Sequence, residues 1–375
     1  MVDVKIIDTG NKKEVNQFIN FPFQLYKDCS QWVPPFISDV RFMLNRDKHP
    51  FFERSEGDFL IATRGDEVVG RLMVMDHKPF NTYHNCKKMA FTMFESVNDL
   101  EVAKSLFERG FEWGRQRGLN EVVGPKGMCS FDGYGILVSG FDQRAMMTMS
   151  SYNYPYLPEL MEKMDFEKEV DFVSCSLPME KFVLPEKVHE VARRVKERGS
   201  FKVMNFKSRK ELIDYAPKIG QAYNDTFIYN WEYYPLSEGE VKYLLSQLMS
   251  VLDYRLIKII TYNEQMVGFL VAFPDISDAL QRQKGRITPW GIADLLITMK
   301  RTKNVTLNGA GILPDFQGRG GNALLYSEMQ NTIRDFGFHH AELTQVAETT
   351  KQMRKDLINV GGVEYKNHRV YHRAI

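Results

Sequence analysis

Ile312-Leu313-Pro314-Asp315-Phe316-Gln317-Gly318-Arg319-Gly320-Gly321-Asn322, continuing as Ala323-Leu324-Leu325-Tyr326, is the stretch whose reading decides the fold. Residues 305–312 read as a strand, and the residues after Asn322 read as an amphipathic helix. Three glycines, a Gln and an Arg lie between them. A glycine-rich turn at a helix start leaves several backbone N–H groups unpaired and pointing one way, at the positive end of the helix dipole. That arrangement suits a phosphate, and glycine lets the backbone approach its oxygens closely. No Gly-Lys-Ser/Thr follows, which excludes a Walker loop. Gly-x-Gly-x-x-Gly is absent, and the loop sits near the C-terminus, which argues against an opening dinucleotide-binding βαβ unit.

Working outward, the same order of elements occurs twice. Residues 59–75 and 256–273 each read as two strands around a polar turn, Arg64-Gly65-Asp66 and Tyr262-Asn263-Glu264. Both second strands open with Val-Gly, at Val69-Gly70 and Val267-Gly268. A strand from Lys88 to Glu95, a helix from Leu100 to Arg117 with Asp99 or Asn98 as N-cap, and a strand from Asn120 to Gly124 follow in the first half. The second half answers with 305–312, a helix from Ala323 to Phe336 and a strand from His340. Both halves close on a helix and a strand: Tyr156 to Met164 then Glu169 to Leu177, and Lys351 to Asn359 then Val363 to His372. A charged helix within 178–200 reads as the linker. Asp278 to Trp290, with Arg282, Lys284 and Arg286, reads as a solvated loop inserted after the second hairpin.

This order, with Gln317, Gly320 and Asn322 at the defining positions of a Gln/Arg-x-x-Gly-x-Gly/Ala loop, resembles the GNAT (Gcn5-related N-acetyltransferase) superfamily. Asn322 departs from the pattern, where Gly or Ala is usual. The chain also looks like a group of bacterial tandem GNAT-like proteins without established substrates, through Trp32-Val33-Pro34-Pro35-Phe36, His49-Pro50-Phe51-Phe52-Glu53, Gly140-Phe141-Asp142, Tyr152-Asn153-Tyr154-Pro155-Tyr156 and Tyr223-Asn224-Asp225. The resemblance implies an α/β fold. It predicts two tandem GNAT-like domains, each a mixed, mostly antiparallel central sheet flanked by helices. Residues 1–185 form the degenerate copy; residues 186–375 carry the acyl-CoA pyrophosphate loop. The first half reads Glu95-Ser96-Val97-Asn98-Asp99-Leu100 at the corresponding junction. It has no glycine there, and two acids oppose a diphosphate.

The resemblance further implies acetyl-CoA or another acyl-CoA as cofactor, held by Ile312, Leu313, Gln317, Gly318, Arg319, Gly320, Gly321 and Asn322. The acyl carbonyl would be held by backbone N–H groups of Gly311, Ile312 or Leu313, with direct attack by an amine. The family's usual acid, a Tyr in the last helix, is replaced by Leu357 or Ile358, its Asn by Thr350, and its strand Glu by Thr306. Glu342, Glu348, Tyr365, His368 and Tyr371 remain as candidates. Glu348 is the first choice of base and Tyr371 of acid. The aromatic segment 222–235 is a candidate wall of the acceptor groove.

Composition bounds the rest. At 375 residues two domains are expected. A net charge of +1 gives no argument for nucleic acid or an anionic membrane as partner. Cys29, Cys86, Cys129 and Cys175 show no CxxC and no zinc spacing, so reduced thiols, no metal and a cytoplasmic setting are expected. The expected activity is N-acyl transfer, acetyl being the first choice of group, to a small-molecule or peptide amine. The alternative is a catalytically silent acyl-CoA or small-ligand sensor on the same fold.

Overall fold

The computed structural model describes residues 1–129, 132–146, 150–178, 184–226, 231, 233–251, 253–359 and 361–375. The first elements are β1 (Asp3–Ile6), α1 (Lys12–Leu25), α2 (Ile37–Met43), β2 (Glu56–Arg64), β3 (Glu67–Asp76) and α3 (Lys78–Tyr83). They continue with β4 (Lys88–Ser96), α4 (Leu100–Arg115), β5 (Glu121–Gly124), β6 (Ile136–Ser139), α5 (Tyr156–Lys163) and β7 (Glu167–Pro178). Next come α6 (Glu186–Arg198), β8 (Phe201–Met204), α7 (Arg209–Thr226), α8 (Glu238–Val251), β9 (Ile257–Tyr262) and β10 (Gln265–Pro274). The chain ends with α9 (Ser277–Gln283), α10 (Pro289–Arg301), β11 (Asn304–Ile312), α11 (Gly321–Asp335), β12 (His340–Ala347), α12 (Lys351–Asn359) and β13 (Val363–Ala374).

Two compact units are present: residues 1–173, 276–298 and 366–375, and residues 174–275 and 299–365. The sequence reading placed one break at residue 185. The compact units break between Val173 and Ser174, and the first unit also takes the last strand and the insertion after β10. That insertion is helical, where a loop was expected. Thr288 caps α10 through Oγ1, accepting from Gly291 N at 3.0 Å, and Pro289 starts the helix, where its missing N–H costs nothing.

Unit 1 orders its strands β1-β2-β3-β4-β5-β13-β7. Pairing is antiparallel from β1 to β4 and between β5 and β13, and parallel between β4 and β5. The α4 helix lays Val102, Ala103, Leu106, Phe107 and Phe111 on this sheet, the spacing of a 3.6-residue stripe. Phe91, Phe94, Phe107 and Phe166 meet edge to face beneath it. Gly70 is small because a Cβ there would meet Leu106 Cδ1 at 2.8 Å.

Unit 2 orders its strands β7-β12-β11-β10-β9-β8. The β11–β12 pair is parallel and the remaining registered pairs are antiparallel. Asn263 and Glu264, with φ of 47° and 68°, close the β9–β10 hairpin in the left-handed region that a two-residue primed turn needs. Leu324, Leu325, Met329 and Ile333 of α11 pack on Ile260, Val267, Leu270 and Val305.

The two units repeat one another down to a single backbone distortion. Gly70 faces Ser96 in unit 1, and Gly268 faces Ile312 in unit 2. Each of these pairings then shifts register at a bulge. The bulged strand carries a positive φ three residues before that reference point, at Met93 (51°) and at Gly309 (97°).

Candidate active site

The loop in unit 2 begins where β11 leaves the sheet. Pro314 follows Leu313 at once and starts a short turn through Phe316. Gln317 donates from Nε2 to the carbonyl of Ile312 at 3.0 Å, tying the loop back to the strand end. Gly318 (φ 73°) and Gly320 (φ 90°) turn the chain into α11. No side chain caps that helix at Gly320, so the N–H groups of its first turn stay open to an anion. Gln317, Gly318, Arg319 and Asn322 are exposed around them. Asn322 therefore lies on the open side of the cradle and does not fill it. The Arg319 guanidinium rests over the Phe316 ring, 5.2 Å from its centroid.

The glycines differ in what they allow. Gly318 has no atom within 4 Å of a built Cβ; at Gly320 a Cβ would come 2.7 Å from Val195 Cγ2. Gly321 is pressed against Ile312 and Ile260, with a Cβ 2.9 Å from Ile312 Cδ1. Both Ala substitutions at 318 and 320 add a left-handed penalty of ~1–2 kcal/mol. Gly320→Ala adds an overpacking cost of ~1–3 kcal/mol. Urea denaturation should therefore find Gly320→Ala the more destabilised of the two; equal losses would remove the packing argument.

Among the described residues, the parallel ladder between β11 and β12 runs from Asn304↔His340 to Leu307↔Leu343 and ends there. Beyond it the pairing of β11 with β10 shifts register at a bulge. Leu313 donates to the Val267 carbonyl at 2.9 Å. Donors alternate in direction along an antiparallel strand. Gly311 therefore points to β10 as Leu313 does, and the Ile312 N–H points away from β10. Of the three alternatives, Gly311, Ile312 and Leu313, the register directs the N–H groups of Gly311 and Leu313 at β10 and leaves that of Ile312.

Glu348 lies half-buried just past the end of β12, in the turn before α12 and in the same unit as the loop. Thr350 anchors that turn, its N and Oγ1 both donating to the Ala347 carbonyl at 2.9 and 2.6 Å. Glu342 is buried on β12 opposite Thr306. Of the two positions read against the tyrosine of the GNAT pattern, Leu357 is buried in the unit 2 core and Ile358 is exposed. Tyr371 is a different case. It belongs to unit 1, pairs with Gly124, and packs in that unit's core, where burial pushes its hydroxyl up to about 12. It is assigned to unit 1 and the loop to unit 2. His368 is likewise a buried unit 1 residue, its Nε2 2.8 Å from the Ser151 carbonyl. Of the aromatic segment 222–235, residues 227–230 and 232 lie outside the described residues.

The matching junction of unit 1 is closed. Asp99 caps α4 by accepting from Glu101 N at 2.8 Å and pairs with Arg64 at 2.7 Å. Glu95 does not reach the helix end, as the sequence reading had it. It pairs with Arg71 at 2.5 Å, and burial raises its pKa against that partner. The sequence reading missed one part of the unit 2 site: the wall over Gly320 formed by Val191 and Val195 of α6. Its signal was present in the spacing of Val188, Val191, Ala192 and Val195, hidden by the surrounding charges.

Comparison with known proteins agrees with this architecture. No family model matches the chain. A protein named Bacterial ceramide synthase from Caulobacter vibrioides (strain NA1000 / CB15N) is 28% identical over 382 residues, covering 100% of this chain and 98% of its own. Protein YghO from Escherichia coli (strain K12) is 23% identical over 371 residues, covering 97% and 94%. Among solved structures, a tandem GNAT protein from the clavulanic acid biosynthesis pathway superposes with a TM-score of 0.57 at 10% identity, covering 100% of this chain and 98% of its own. The fold is thus a tandem GNAT fold, with mixed sheets flanked by helices.

Proposed function

We propose that the chain is an N-acyltransferase that takes its acyl group from an acyl-CoA in unit 2 and delivers it to the amine of a long-chain base. One observation carries the donor half of this reading. The uncapped α11 N-terminus, framed by Gly318, Arg319 and Gly320, follows directly on the end of β11, where the Ile312 N–H points away from β10. The residues present fit an acyl-CoA: N–H groups at 320–322 for the diphosphate, Arg319 as a fixed positive charge, and the Ile312 N–H for the thioester carbonyl. The likeness to a protein named Bacterial ceramide synthase supports the acceptor half, since a ceramide is a long-chain base acylated on nitrogen.

In the reaction the amine nitrogen attacks the thioester carbonyl, a C–N bond forms and the C–S bond breaks. Ile312 N–H steadies the carbonyl oxygen as it gains charge. Glu348 takes the proton that the nitrogen must lose, and the thiolate departs. The cradle holds the donor so that attack is effectively intramolecular.

The test combines the full chain with a long-chain acyl-CoA and a long-chain amino alcohol, and follows amide by mass spectrometry and thiol release by absorbance. Acetyl-CoA with small amines and peptides forms the comparison arm. Thiol release without amide from every acceptor tried would overturn the acceptor assignment. No thiol release from any donor, with CoA bound, would favour the sensor reading. Arg319→Glu addresses the cradle itself. It is exposed and should leave the melting temperature unchanged, while calorimetry finds acyl-CoA bound on the order of tenfold more weakly, as expected for reversing a charge beside a diphosphate.

A further inference from the structure

The helix inserted after β10 exposes a face that no fold requirement explains. Trp290 is 86% exposed, Ile287 54%, Ile292 49%, Leu296 54% and Ile297 50%. Large apolar side chains exposed singly are ordinary; five within eleven residues form a patch that marks an interaction surface. At 3.6 residues per turn, Trp290, Ala293, Leu296, Ile297 and Lys300 share one side of α10, with Ile292 at its edge.

The opposite side is the one that is tied down. Gln283 donates from Nε2 to the Gly291 carbonyl at 2.8 Å. Arg282 holds Asp294 at 2.7 and 3.1 Å and reaches Thr298 Oγ1 at 2.9 Å. Gly291, Asp294 and Thr298 thus face α9. In turn α9 is fixed by Gln281, which donates to the carbonyls of Ser30 and Trp32 at 2.7 and 2.9 Å. An ordinary surface helix has its apolar side inward. This one is anchored by polar contacts and presents its apolar side outward.

The charges around the patch have one sign. Lys284 and Arg286 precede it, and Lys300 and Arg301 close it. Asp294, the acid within α10, is neutralised by Arg282. Lys284 and Arg286 also line a cavity of about 410 Å³ walled by Phe23, Tyr26 and Trp32. An outward apolar helix face with a tryptophan and a basic rim is the pattern of a helix that lies in a bilayer interface, its cations among anionic headgroups.

We propose that residues 284–301 dock the protein on an anionic lipid membrane surface, with α10 lying in the headgroup region. The chain's net charge of +1 conceals this because the rim is local. No helix among the described residues is long and apolar enough to cross a membrane, so this is surface attachment by that helix. The inference stands apart from acyl transfer, because vesicle binding is read without turnover.

The experiment is co-sedimentation of the full chain with vesicles of phosphatidylcholine alone and of phosphatidylcholine with phosphatidylglycerol. The chain should pellet with the anionic vesicles and be released as salt rises. Trp290→Ser/Ile297→Ser should abolish pelleting with circular dichroism unchanged, since both side chains are exposed. Lys284→Glu/Arg286→Glu should weaken it on the order of tenfold or more. Failure of the wild-type chain to pellet with anionic vesicles overturns the proposal. Equal pelleting with neutral vesicles overturns the role of the basic rim. Self-association in sedimentation velocity that Trp290→Ser/Ile297→Ser removes, without vesicle binding, would assign the face to a second copy of the chain.

Discussion

Glu348→Gln should lower kcat/KM for acyl transfer by roughly 10²–10⁴-fold, the range typical of removing a general base, while acyl-CoA affinity stays nearly unchanged. The position explains the split. Glu348 sits past the end of β12, outside the glycine loop in sequence, and the substitution keeps the side chain's shape while removing its basicity. The loss should be largest below the amine's own pKa, where a proton must be taken, and should shrink as pH rises and the free amine becomes abundant. A loss of only a few-fold across that range would mean that solvent accepts the proton. Activity would then rest on positioning and on the Ile312 N–H alone, which can contribute several kcal/mol without any base. A rise in Kd for acyl-CoA would instead assign Glu348 to binding.

How much of this was legible before the structure can be traced residue by residue. The hairpins, the helix with its Asp99 cap and the glycine loop follow from local chemistry: alternation, capping and turn residues act over four to ten residues. The tandem repeat was legible because the same local signals recur in the same order. The bulge at Met93 and Gly309 was not, since a positive φ at a methionine has no local signature and is imposed by the strands around it. The place of Tyr371 was not legible either. Only the long-range pairing of β13 with β5 reveals that the chain's last strand completes the first unit. The direction of the Ile312 and Leu313 N–H groups needed the register with β10, which sequence spacing does not fix. Asp278 to Trp290 reads as a loop because its polar residues give no apolar stripe, whereas Ser277–Gln283 is helical and Pro289 and Trp290 open α10.

Acid should destabilise unit 1 well above the carboxylate range. His49, His77 and His368 all belong to that unit and are buried. Burial lowers their pKa values from 6.5 to about 4, about 3 and about 4, with Lys126 pushing His77 the same way. Two of them also cap helical turns in the neutral form. His49 Nδ1 accepts from Phe51 N and His77 Nδ1 accepts from Phe80 N, each at 3.3 Å, so a proton at Nδ1 would end the cap. A group whose folded pKa lies below its unfolded value binds fewer protons when folded, so stability falls as pH drops below the unfolded pKa. At pH 5 each histidine removes about 2 kcal/mol, roughly 6 together, against a domain stability of ~5–15 kcal/mol. Asp132 runs the other way: burial raises its pKa from 3.8 to about 6, despite backbone donors that lower it, so protonation relieves a penalty as pH falls. That returns about 1.4 kcal/mol between pH 7 and 5 and leaves the histidines dominant. Urea melts at pH 7.5 and pH 5 should therefore differ by several kcal/mol. His77→Asn keeps a side-chain acceptor for the cap but cannot be protonated in this range, so it should reduce that difference by about 2 kcal/mol. Equal stabilities at the two pH values would mean that the three imidazoles are already charged or solvated in the folded chain.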